Sequence, residues 1–232
     1  MTGFLFLFSR NSSATTPEQK QVLRWSEGTP GSAFAANPDG TYRYGLAAND
    51  VSVTLAVDSL ELDKTRRRIE PLLAIFLTLH DSGSSALELD TRKITLEFVD
   101  HFHDRRPALD PGELARRLKL ESAAFSQKTE REIAQHPQKK AELEAALADH
   151  NQALRAMVDF LGVKALRSAT ANPERQQMSG WVFFATRSKW VGELSKQEDF
   201  VLRVPVGTLV IEFPFTLPPS QSDINLRTRP EE

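Results

Sequence analysis

Hydrophobic and polar positions alternate along several stretches of this chain. At 51–60, Val51, Val53, Leu55 and Val57 are separated by small or polar residues, the period of a half-buried strand. Residues 72–79 are apolar on both faces, as a central strand should be. Asp81-Ser82-Gly83-Ser84-Ser85 closes that run with a loop. At 93–102 the alternation resumes, with Ile94, Leu96, Phe98 and Phe102 on one side and Thr95, Glu97, His101 and His103 on the other. Asn37-Pro38-Asp39-Gly40 predicts the turn of a hairpin between 32–36 and 41–46, because Pro presets φ and Gly accepts a positive φ. Late in the chain, 181–186, 200–204 and 209–215 are rich in β-branched and aromatic residues.

At Asp110 the period changes from two to helical. Asp110-Pro111-Gly112-Glu113 reads as a helix start, with an N-cap carboxylate, Pro in the first turn and Glu at the capping-box position. Leu114, Leu118, Phe125 and Ile133 follow at helical spacing. His136-Pro137 predicts a break. A second segment then carries Leu143, Leu147, His150, Leu154, Met157 and Leu161, a coiled-coil-like seam, with Gly162 as the expected C-cap. Equal lengths and a short break point to an antiparallel hairpin, each arm about 40 Å long if fully helical. One long helix kinked at Pro137 is the other reading.

Strands, then helix, then strands again imply a mainly β fold with an α insertion: one β-sandwich made of 21–109 and 163–228, interrupted by a helical hairpin at 110–162. Residues 1–20 stand apart as an N-terminal lead-in. Their apolar run Phe4-Leu5-Phe6-Leu7-Phe8 has two readings, a first strand or the remnant of an export signal whose small residues Ser12, Ser13 and Ala14 suit cleavage.

Composition narrows the function. The 29 basic and 31 acidic residues nearly cancel, so no long-range positive field exists to hold a polyanion, and nucleic acid is not an expected partner. The absence of cysteine excludes disulfides, thiolate nucleophiles, Cys-ligated zinc and a lipid-anchored N-terminal Cys. No apolar run approaches the roughly 20 residues of a membrane-crossing helix.

Two stretches carry a resemblance. Leu73-Ala74-Ile75-Phe76-Leu77-Thr78-Leu79-His80-Asp81-Ser82-Gly83 is a buried strand running into a polar turn, and Ser179-Gly180-Trp181-Val182-Phe183-Phe184 is a Gly-led apolar strand. Together they resemble the immunoglobulin-like domains of uncharacterised exported or envelope-attached bacterial proteins. The resemblance implies an immunoglobulin-like sandwich and a periplasmic, envelope or extracellular setting (a cytoplasmic one is the alternative), and it brings no activity. The chain departs from that pattern in its helical insertion and in lacking a lipobox cysteine.

Among candidate sites, His101 and His103 would face the same way on a strand. Two imidazoles can chelate a divalent metal if Glu97, on the same face, or His80, brought in by folding, supplies a third ligand. A solvent-facing strand end is the simpler reading of the same pattern. His150 reads as a hydrogen-bonded histidine between helices. Arg66, Arg67 and Arg68 are candidates for an anionic surface, or an exposed connection. Trp190, flanked by Arg187 and Lys189, is a candidate contact residue, whereas Trp181 and Phe183 share a face and read as core. Walker, dinucleotide, nucleophile-elbow and His-Glu-x-x-His motifs are missing, and no cofactor is expected. The expectation is therefore an interaction or assembly protein whose hairpin contacts a protein partner or its own copy. A metal-dependent enzyme or metal-binding protein built on the His101/His103 pair is the alternative.

Overall fold

The alternating segments form two five-stranded sheets in the computed structural model, which describes residues 20–37, 41–58, 72–186 and 197–217. The expected turn residues at 38–40, the lead-in at 1–19, Arg66, Arg67, Arg68, Arg187, Lys189, Trp190 and the tail from 218 lie outside the described residues.

In chain order the elements are β1 (Gln21–Arg24), β2 (Ser32–Ala36), β3 (Thr41–Ala48), β4 (Val51–Asp58), β5 (Leu72–Asp81), β6 (Leu87–Leu89), β7 (Thr95–Phe98) and β8 (Asp104–Pro107). Helices α1 (Pro111–Gln135) and α2 (Lys140–Lys164) follow, then β9 (Ala169–Ala171), β10 (Gln177–Ala185), β11 (Glu198–Val206) and β12 (Leu209–Leu217). One sheet has the order β1-β12-β11-β7-β8, the other β10-β5-β4-β3-β2, and β6 pairs with β9 in a small ribbon. Pairing is antiparallel throughout except for β1 on β12.

The inner faces of both sheets close on one core. Tyr42, Leu55, Ile75 and Phe184 of one sheet join Leu96, Leu202, Ile211 and Phe213 of the other in a single buried cluster. Burying side chains of this size stabilises by roughly 1.5–3 kcal/mol each, so segments on both sides of the helices are held by the same interior. Gly180 shows how closely the chain approaches itself there. Leu166 N donates to Trp181 O at 2.8 Å, and a Cβ at Gly180 would lie 2.6 Å from Leu166 N.

A second, smaller core lies on the outer face of β5 and β10. Leu114 and Leu118 of α1 and Met157 and Leu161 of α2 pack there on Leu72, Ala74 and Phe183, with Phe160 against Trp181 at 6.0 Å. Trp181 and Phe183 thus serve as core, beneath the helices. α1 begins at Asp110, whose side chain accepts from Glu113 N at 2.8 Å; the Glu113 carboxylate turns to Arg116 and not back toward the cap. A three-residue turn, Pro137–Lys139, separates the helices. Gly162 is not the expected C-cap: α2 runs on to Lys164 and ends at Ala165.

The alternation expected through 102 stops early. β7 ends at Phe98, and residues 99–103 form a turn that returns the chain into β8, with Phe98 facing Asp104. Phe102 and His103 take positive φ (61° and 56°), which throws Phe102 fully into solvent and not onto the inner face that its spacing predicts. The turn is fixed to β11, since Asp100 Oδ2 accepts from Asp199 N at 2.7 Å.

Candidate functional site

The register of the first sheet brings together a charged row that no local pattern discloses. One residue on each strand contributes: Arg24 on β1, Glu212 on β12, Arg203 on β11, Glu97 on β7 and Arg105 on β8. Arg24 Nη1 donates to Glu212 Oε2 at 2.9 Å, and Arg203 Nε donates to Glu212 Oε1 at 2.6 Å. Arg203 Nη1 donates to Glu97 Oε2 at 2.5 Å, and Arg105 Nη2 to the same oxygen at 3.3 Å. Signs alternate across all five strands, so each interior charge has an opposite neighbour on either side.

Glu97 is the most enclosed member, 8% exposed. Burial pushes its carboxyl upward, but hydrogen bonds from Arg203 and His103 and the Arg203 charge outweigh that and hold it at about 2. Arg203 is raised above its ordinary value: burial opposes its charge, and Glu97 and Glu212 more than restore it.

This row decides the fate of the histidine pair. His103 Nδ1 lies 2.8 Å from Glu97 Oε1, and an ionised carboxylate only accepts, so Nδ1 carries the proton. His101 Nε2 instead lies 3.1 Å from Glu198 Oε2. The expectation that the two imidazoles share a strand face fails because the strand ends before them and the turn sends them to different carboxylates. His80 sits at the end of β5 in the other sheet, opposite Gln177 and Ser52. Glu97 and His103 are therefore brought together, while His101 and His80 go elsewhere. Among the described residues no group of three His, Cys, Asp or Glu side chains could hold a metal ion.

Two other features stand out. Between the edges of the two sheets lies a cleft of about 490 Å³ lined by Trp25, Phe34, Tyr44, Phe200 and Phe215, with Glu27, Asp199 and Arg24 among its polar groups. Burial first, then the neighbouring Tyr42, pushes the Tyr44 hydroxyl above its ordinary pKa. Alternating residues in β3 and β12 hint at these aromatics in sequence, but only folding sets them against each other.

The helices supply the second feature. Leu114, Leu118, Met157 and Leu161 are buried against the sheet, whereas Ile133, Leu143, Leu147 and Leu154 are only half-buried. Leu120 is 60% and Phe125 38% exposed. His150 behaves as expected of an interhelical histidine: Nε2 lies 3.1 Å from Ser122 Oγ, and its ring packs on Phe125 at 4.3 Å. No helix among the described residues is long and apolar enough to cross a membrane.

No protein-family model matches the chain, and no curated protein sequence matches it. Among solved structures it is similar to the crystal structure of a "putative lipoprotein (ycdA)" from Bacillus subtilis subsp. subtilis str. 168, with 10% identity and a TM-score of 0.33. That similarity covers 83% of this chain and 40% of the other, so the chain spans well under half of that protein's length.

Proposed function

We propose that this is a non-enzymatic interaction or assembly protein: an immunoglobulin-like β-sandwich (21–109 and 163–228) whose inserted antiparallel helical hairpin (110–162) is the contact element. The observation that carries this reading is the unequal burial along the helices. Their bases are seated in the outer core through Leu114, Leu118, Met157 and Leu161, whereas no residue of 119–153 belongs to either buried cluster or packs against one. The part of α1 beyond Leu118 is about 26 Å long at helical rise. It carries Leu120, 60% exposed, on the side away from Ser122 and Thr129, and Phe125, 38% exposed, beside the seam of Ser122, Thr129 and His150.

A stiff arm held at one end, with apolar side chains outside the core, suits capture of a helical or groove-bearing partner, or of its own copy. An exported setting completes the proposal, as the strand resemblance implies. Photo-crosslinking residues placed at Leu120, Phe125 and Ala146 in the native host provide the test, with Arg43 on β3 as the control position. The proposal expects discrete adducts, to one protein or to a second copy, from the helix positions alone. Adduct patterns indistinguishable from the Arg43 control would overturn it.

A further inference from the structure

We propose that the cleft between the sheet edges is a binding site for a small organic cation, an ammonium or guanidinium on an aromatic or alkyl body. The inference does not depend on the helical contact reading.

The walls come from both sheets. Trp25 leaves β1 and crosses toward β2, where its indole N–H donates to Ala33 O at 3.0 Å. Its ring meets Tyr44 edge-on at 5.1 Å and 82°, and Phe34 leans on Tyr44 at 4.9 Å and 50°. Tyr44 touches Phe215 at 5.8 Å, and Phe215 stacks on Phe200 at 5.2 Å. Trp25 stands steeply against Tyr44, whereas Phe200 and Phe215 stack, so the walls are built from rings of several orientations. Ring faces carry negative potential and attract a desolvated cation. Trp25 and Phe34 are only half-buried, so an incoming molecule meets them first.

The cleft is open here because β1 covers only part of β12. Gln21 through Arg24 pair with Leu209 through Glu212, and the last edge bond runs from Trp25 N to Glu212 O at 2.8 Å. The next edge-facing position on β12 is Pro214, which has no N–H to offer a further strand. A proline at this point discourages strand addition and keeps the opening for a smaller guest.

Charge then selects among guests. Among the described residues the ionisable side chains in the lining are Arg24, Glu27 and Asp199, and the Arg24 guanidinium is bonded to Glu212 at 2.9 Å. Asp199 accepts from Thr216 Oγ1 at 2.6 Å, a neutral partner that leaves its charge in place, and Asp100 approaches the same strand end through Asp199 N. The Asp199 carboxylate charge beside these aromatic walls favours cations and disfavours anions. A volume near 490 Å³ lies within the range of small-molecule sites.

The experiment titrates the full chain with phenethylammonium, its neutral analogue 2-phenylethanol and its anionic analogue 3-phenylpropionate by ligand-observed NMR. The proposal expects saturable phenethylammonium binding, tighter than 2-phenylethanol by about five-fold or more, and none for phenylpropionate. Asp199→Asn should bring the cation and the alcohol to within about two-fold. Phe34→Leu keeps the apolar wall but removes the ring, so it should weaken the cation and spare the alcohol. Circular dichroism confirms that each variant is folded. Equal binding of cation and alcohol to the unmodified chain, a preference for the anion, or no saturable binding of phenethylammonium would overturn the assignment. So would a cation preference untouched in both variants.

Discussion

Replacing Glu97 with Gln isolates the centre of the charged row, and its consequence can be worked from the structure. The carboxyl is held at about 2 against an ordinary 4.5, and roughly 1.4 kcal/mol per tenfold change in proton affinity caps its contribution near 3.4 kcal/mol. Arg203 is 19% exposed, but Arg105 and His103 are 56% and 70% exposed. Water screens those two, which lowers the expected contribution to about 1.5–2.5 kcal/mol. A depressed folded-state pKa stabilises fully above the unfolded value and loses that stabilisation as pH falls toward the folded one. Urea unfolding of both proteins from pH 7 down to 2.5 should therefore show the gap at its full size above about pH 5. It should close progressively between pH 4.5 and 2. A gap independent of pH, or one under about 0.5 kcal/mol at pH 7, would refute the account of Glu97 as an ionised, cation-held group.

Leu118→Ala removes a fully buried side chain from the outer core and should cost about 2–4 kcal/mol in urea unfolding, while Leu120→Ala, on the exposed side, should stay within about 0.5 kcal/mol. Asp110→Ala deletes the cap on Glu113 N and should cost about 1 kcal/mol in the same assay. Gly180→Ala places a methyl against the Ala165–Leu166 backbone; a loss of about 1–3 kcal/mol is expected, and an unchanged midpoint would contradict that contact. Phe102→Gly should stabilise slightly, by up to about 1 kcal/mol, because it relieves a positive φ and sacrifices no burial.

Much of the secondary structure was legible because it rests on local patterns. Alternation marked β4, the doubly apolar run marked β5, and Asp110-Pro111 marked the start of α1, since burial on one face and end-capping are read from neighbours in the chain. The end of β7 was not legible. Phe102 and the two histidines continue the period of two in sequence, and the bonds that tie Val99 and Asp100 to Asp199, about a hundred positions away, mark where the turn begins. The charged row was invisible for the same reason: Arg24, Glu97, Arg105, Arg203 and Glu212 become neighbours through strand order and register. The histidine pair illustrates the cost of reading a face from spacing alone, because two positive φ values suffice to separate the imidazoles. The helical seam stood between these extremes. Its positions were legible, but burial graded from Met157 and Leu161 down to Leu143 and Leu147 depends on where the sheet lies beneath it.

The most direct test of the central proposal is thermal unfolding of a chain in which residues 120–152 are replaced by a short Gly/Asn turn. The cut keeps Leu114, Leu118, Met157 and Leu161 over β5 and β10, so a single cooperative transition within a few degrees of the full-length midpoint is predicted. A shortened chain that is unfolded at room temperature, or that melts without cooperativity, would mean that the outer halves of the helices hold the fold together and are not an arm available for contact.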